Sequence, residues 1–142
     1  MPDLTSDTQQ IIQVTHQYAL GLDRFTPDHA TAAFTEDAVW DATALGMKRV
    51  EGRVALLELF KRDAETIAEQ YHVTTNHIVE FDDQDNAHGT NYVLAEATTK
   101  EGGSIKAAVI NQDVYHRTAD GWRIASRTIL PLTKPHVDRF EL

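Results

Sequence analysis

Along the first half of the chain, apolar residues recur at three- and four-residue spacing; from position 72 onward they alternate with polar ones. Ile11, Val14, Thr15, Tyr18 and Leu22 make one stripe of an amphipathic helix. Ser6-Asp7-Thr8-Gln9 fits a capping box, with a hydroxyl for the free N–H groups and a glutamine reaching back, and predicts the start of that helix. Asp23 follows Leu22 at the end of the stripe, where the helix dipole disfavours a carboxylate. Thr26-Pro27 predicts a second, short helix that turns Ala30, Ala33 and Phe34 inward. Glu36 to Asp41 reads as a strand, and Gly46 to Val50 as a short strand or turn. A third helix is predicted from Val54 to Glu69, with Leu56, Leu57, Phe60, Ala64 and Ile67 as its apolar face.

At His72 the period changes to two. Val73 to Phe81, Gly89 to Thr98, Ile105 to Arg117 and Trp122 to Leu130 are predicted strands. They are separated by Asp83-Gln84-Asp85-Asn86, Lys100-Glu101-Gly102-Gly103-Ser104 and Asp120-Gly121, all turn sequences. Such short links force an antiparallel meander. Three helices followed by four meandering strands is an α+β pattern, with helices on one face of a curved sheet and a cavity between the layers. The length of 142 residues predicts a single domain spanning the chain. The tail from Pro131 to Leu142 is expected to close the cavity or lie across a partner subunit.

Charge narrows the function. With 22 acidic against 13 basic residues, the net charge is -9, and no Lys/Arg cluster offers a face to nucleic acid or an anionic membrane. The absence of cysteine excludes disulfides, thiol catalysis and thiolate zinc sites. Met1 to Thr5 has neither the basic flank nor the apolar run of a signal peptide, and the expected location is the cytoplasm.

The seven histidines show no metal-binding spacing. His72 and His77 are an odd number apart in one predicted strand and so are expected on opposite faces. No phosphate loop or nucleophile elbow is present either, and no metal or cofactor is expected. Acid–base chemistry remains. Taken singly, Asp23 reads as a solvated helix-end carboxylate and His72 as a hydrogen-bonded strand-end imidazole. Together they suffice for a base: the carboxylate selects the imidazole tautomer and stabilises the imidazolium. An arginine such as Arg127 would then balance developing negative charge. On the third strand of the meander, Val109, Asn111, Asp113 and Tyr115 share one face. In an unbroken last strand Arg127 would share a face with Arg123 and Ile129, opposite Trp122 and Ile124. Bringing Arg127 to the cavity side therefore needs either a bulge or a packed outer face.

Three ordered segments bear a family resemblance. Leu20-Gly21-Leu22-Asp23-Arg24, with Asp37-Ala38-Val39-Trp40 after it, resembles the segment carrying the dyad aspartate of the scytalone dehydratase and lindane dehydrochlorinase group. Tyr71-His72-Val73-Thr74-Thr75-Asn76 resembles the segment carrying that group's catalytic histidine, and Gly121-Trp122-Arg123-Ile124-Ala125-Ser126-Arg127 the last strand with its pocket arginine. The likeness runs from Ile11 to Leu130 and places the chain in the SnoaL-like, nuclear-transport-factor-like superfamily of cone-shaped α+β proteins. It implies Asp23, His72 and Arg127 as catalytic residues. It also implies an apolar pocket lined by Tyr18, Trp40, Phe60, Val93, Val109, Asn111 and Ile129. The residue before Asp23 is Leu22 rather than the tyrosine of the dehydratase, so a tyrosine-held water is not implied.

Two function classes follow. One is a cofactor-independent lyase (dehydratase or dehydrohalogenase type) or isomerase acting on a small apolar cyclic molecule. The other is a non-catalytic binding or dimerisation module of the same fold, or a polyketide cyclase-like protein. In the third strand Ile105, Ala107 and Val109 lie on one face and Ala108, Ile110 and Val114 on the other. A sheet apolar on both faces predicts a homo-oligomer through the outer one, a dimer first and a trimer as the alternative.

Overall fold

The computed structural model describes residues 4–140. Helix α1 spans Leu4–Asp23 and buries Ile11, Val14, Thr15 and Tyr18, the predicted stripe. It is already helical at Leu4, so Ser6 to Gln9 lies inside the helix rather than capping it. The Met1 to Asp3 part of the leader reading lies outside the described residues. Helix α2, Pro27–Thr31, begins at the predicted proline. Thr26 makes no side-chain cap; its hydroxyl donates to the Gly21 carbonyl at 3.2 Å. A Cβ on Gly21 would sit 2.5 Å from the Ala30 backbone nitrogen, so only glycine lets α2 fold back this closely on α1.

Strand β1, Phe34–Asp41, starts two residues earlier than predicted and pairs with the short β2, Arg49–Glu51. Helix α3, Arg53–Thr66, buries Leu56, Leu59 and Phe60. It ends three residues before the predicted boundary, and β3 begins at once, Ile67–Phe81. His72 therefore stands inside a strand rather than at its mouth. Strands β4 (Asn86–Thr99), β5 (Ser104–Thr118) and β6 (Gly121–Pro131) complete the predicted antiparallel meander. The sheet order is β2-β1-β6-β5-β4-β3, curved and not closed. The local period did not reveal two further pairings. β1 runs parallel to β6, and a seventh strand from the tail, β7 (His136–Asp138), pairs with β5 near Ile105, beyond the stretch that β6 covers.

Bulges in β3 and β6 decide which side chains face the helices. In β3 the register to β4 shifts between Thr75 and Ile78, where Asn76 takes a left-handed φ of 52°. An earlier shift between Ile67 and Glu69 puts Ile67 on the same side as Gln70 and His72, which face inward, and after the shift at Asn76 it is His77, Val79 and Phe81 that do. His72 and His77 thus lie on the same face, contrary to the simple parity argument. In β6 the register slips so that Ser126 opposes Val114 while Ile124 opposes Tyr115, leaving Ala125 as the extra residue. Trp122, Ile124, Arg127 and Ile129 are all buried on that account; of the two ways to bring Arg127 inward, the bulge is the one used.

The core between helices and sheet is built on Ile11, Tyr18, Phe34, Trp40, Leu56 and Phe60 against Tyr115, Trp122, Ile124 and Ile129. Its rings meet edge-on or tilted: Tyr18 to Phe34 at 5.4 Å between centroids, Trp40 to Phe60 at 6.1 Å. Asp7, on α1, accepts two hydrogen bonds from Arg117 (3.1 and 2.8 Å) and one from the Trp122 indole (3.2 Å). The Arg117 guanidinium lies 4.7 Å over the Trp122 ring.

Candidate active site

The helices and the inward face of the sheet enclose a cavity of about 120 Å3. Its wall includes all seven residues assigned to a pocket from sequence: Tyr18, Trp40, Phe60, Val93, Val109, Asn111 and Ile129. Leu22, Met47, Ile67 and, from the tail, Phe140 add to the apolar surface. The polar residues on it include His72, Gln70, Asp63 and Glu96.

His72 is held from behind. Its Nδ1 lies 2.6 Å from Asp23 Oδ1, and its backbone N–H donates to Asp23 Oδ2 at 3.0 Å. An ionised carboxylate only accepts, so Nδ1 carries the proton and Nε2 is left with a bare lone pair. No other hydrogen bond among the described residues engages the ring. Two residues before it in β3, the Gln70 amide donates to the Leu22 carbonyl at 2.6 Å and so ties the end of α1 to β3. Asp23 itself is not on the cavity wall; it orients the ring from outside. Both side chains are about one-fifth exposed, so the pair is not sealed from solvent.

Arg127 has a different place from the one assigned to it. It is buried, absent from the cavity wall, and bound by Asp113 through Nε to Oδ1 and Nη2 to Oδ2, each at 2.8 Å. Its guanidinium lies 4.7 Å over the Tyr18 ring. Burial pulls the guanidinium pKa down, but the charge and hydrogen bonds of Asp113 outweigh it and hold the group above its ordinary value. Arg127 is therefore a charged residue behind Tyr18, already neutralised, and not a direct partner for a ligand.

Asp113 is the hub of a buried polar chain. It also accepts from Asn91 (2.9 Å) and from the Tyr115 hydroxyl (2.8 Å), and Asn91 in turn accepts from Asn111 (2.9 Å). Asn111 is the member that reaches the cavity. At the other end, His77 Nε2 lies 3.0 Å from the Tyr115 hydroxyl. Burial brings the His77 imidazole down to about 4, against the opposing pull of Asp113, so it is neutral at physiological pH. Burial likewise raises Tyr18, and the nearby Arg127 partly offsets this. The Tyr18 oxygen accepts from the Trp40 indole at 3.2 Å, which leaves its own O–H free to donate.

Asp63 is the site residue that the apolar reading of α3 passed over. Leu56, Phe60 and Asp63 are spaced by four and three residues, so a carboxylate stands in the inward stripe of the helix. That spacing alone is enough to find it. Among the described residues no three His, Cys, Asp or Glu side chains gather as metal ligands, and no helix is long and apolar enough to cross a membrane.

A family model described as the SnoaL-like domain matches residues 3–128. Among solved structures, a candidate aromatic ring hydroxylase from Novosphingobium aromaticivorans superposes with a TM-score of 0.89 at 25% identity, covering 96% of this chain and 95% of that one. A candidate scytalone dehydratase from the same organism gives 0.85 at 19% identity over 96% and 91% of the two chains. A type 2 hexachlorocyclohexane dehydrochlorinase gives 0.78 at 19% identity over 97% and 91%. Among curated proteins no sequence match was found.

Proposed function

The chain belongs to the SnoaL-like domain family, and from that premise we propose that it is a cofactor-independent lyase or isomerase acting on a small, largely apolar ring compound. The observation that carries this reading is the 2.6 Å contact of Asp23 with His72 Nδ1, with the imidazole on the wall of an apolar cavity. In this reading Nε2 takes a proton from a carbon next to a carbonyl or other activating group. The electron pair left behind either expels a group from the next carbon or shifts a double bond. Asp23 stabilises the imidazolium so formed.

Negative charge that develops on a carbonyl oxygen is met by neutral donors. The Tyr18 hydroxyl proton and the Asn111 amide both belong to the cavity wall. Arg127 acts one layer back, through the Tyr18 ring and through Asp113, so its contribution is to the potential of the site and to the positions of these donors. Two of the structural neighbours are named for ring compounds, which agrees with the aromatic and aliphatic lining here.

The test is turnover of a panel of cyclic ketones carrying a hydroxyl or halogen on the β-carbon, with product alkene followed by absorbance. Wild type is expected to convert at least one of them, and His72→Ala to be slower by about 10²–10⁴-fold, the usual cost of losing a positioned base. Equal rates in wild type and His72→Ala would refute the assignment.

A further inference from the structure

Asp63 lies in the last turn of α3 and shares the cavity wall with Phe60, Ile67 and Met47. Its carboxyl makes no hydrogen bond and no ion pair among the described residues. The end of a helix carries partial negative charge, so an ionised carboxylate there is opposed by both its surroundings and the dipole. The charged and titratable groups around it are Arg62 on α3, Lys48 in the segment before β2, and Glu96 and His72 on the same cavity wall. Glu96 is occupied by Lys106 at 3.4 Å. Burial is the dominant influence and lifts the Asp63 carboxyl to about 6, against the pull of Arg62 and Lys48. An unpartnered acid in an apolar wall weakens the fold, and such groups collect at reactive sites.

We propose that Asp63 is a second catalytic residue, the general acid that protonates a departing hydroxyl, and that the substrate is accordingly a β-hydroxy carbonyl compound on a small apolar ring. This rests on the elimination reading above and specifies its leaving group. The bond from hydrogen to the α-carbon breaks as His72 Nε2 takes the proton, and its electron pair becomes the new C=C bond. The C–O bond at the β-carbon breaks, its electron pair stays on oxygen, and that oxygen takes the Asp63 proton and leaves as water. Proton return from the imidazolium to the Asp63 carboxylate through solvent closes the cycle, with no net redox change. A halide leaves as an anion and needs no such acid; hydroxide is too poor a leaving group to go without one.

The experiment compares 3-hydroxycyclohexan-1-one with 3-chlorocyclohexan-1-one, which give the same enone. Wild type is expected to convert both. Asp63→Asn should lose about 10²–10⁴-fold on the hydroxy ketone and keep its rate on the chloro ketone, whereas His72→Ala should lose both. The wild-type rate on the hydroxy ketone should fall as pH rises above about 6, a limb absent from the chloro ketone. Stability supplies a readout independent of activity. The folded pKa lies above the ordinary 3.8, so ionisation penalises the fold fully above about 6 and not at all below the ordinary value. Asp63→Asn should therefore melt above wild type at pH 8, with the gap closing toward pH 4. Asp63→Asn affecting the two ketones equally, affecting neither, or melting below wild type at pH 8 would overturn the proposal. Wild type inert to both ketones would instead remove the elimination reading itself, and this assignment with it.

Discussion

Asp113 and Arg127 neutralise one another where almost no solvent reaches either side chain. A buried pair of this kind is costly to break, because the survivor keeps its charge and loses its partner. Asp113→Ala is expected to cost about 3–5 kcal/mol, read from chemical denaturation. Arg127→Lys should also be damaging, since an ammonium cannot reproduce the two-pronged contact. The Asp23–His72 pair lies nearer solvent and contributes less to the fold, so His72→Ala should unfold at nearly the wild-type denaturant midpoint while losing turnover. Asp23→Asn keeps the shape but supplies no charge to the imidazolium; turnover should drop severely, and activity near wild type would count against the pair. Chelator should leave the wild-type rate unchanged under this mechanism. Much of this residue scale was legible in the chain. The pairing of Asp23 with His72 and the seven pocket positions were what the resemblance implied, and the contact and the cavity wall contain them. The role of Arg127 was not legible, because the residue that captures it, Asp113, lies on a neighbouring strand and pairs through register, which no local pattern encodes.

At the scale of elements, capping signals, helix stripes and strand alternation located the three α-helices and the four long strands, but not the 3-10 turn at Thr43–Leu45. Asn76 and Ala125 each add one residue to a strand, and each reverses the parity of everything beyond it. Strict alternation requires an unbroken pleat; the break at Asn76 puts His77 on the His72 side, and the one at Ala125 carries Arg127 inward. Asn76 is the residue type that tolerates a left-handed φ, and its 52° is a requirement of the bulge. Asn76→Gly should be nearly neutral and Asn76→Val should cost about 1–2 kcal/mol, compared by thermal unfolding. A valine as stable as asparagine would show that the bulge is easily remodelled. β7 and the parallel pairing of β1 were missed for another reason: three residues are too few to show a period, and partners ninety positions apart leave no local trace.

At the scale of the molecule, no element among the described residues covers the outer face of the sheet at β3 and β4. Val73, Tyr92 and Leu94 are 45%, 38% and 53% exposed and lie side by side across β3 and β4, with Ala108 and Ile110 of β5 next in register. An apolar face of this extent suits a second copy of the chain. The expected result is a dimer by light scattering at micromolar concentration, shifted to monomer by Leu94→Lys; a monomeric wild type would argue against it. One contact inside the subunit has a consequence for how the chain is made. Asp7 is bound by Arg117 and Trp122, 110 and 115 residues away. The first helix therefore emerges from the ribosome with the partners of Asp7 still unsynthesised, and although β3 can meet it earlier, its contact with β6 waits for the final long strand. Closure of this nascent chain is a late, nonlocal event of the kind that slows folding. In a Trp40→Phe background, the indole of Trp122 is a built-in clock for it: its fluorescence change should track the slowest refolding phase, and Asp7→Ala should lengthen that phase while leaving the helical signal of the early phases in place.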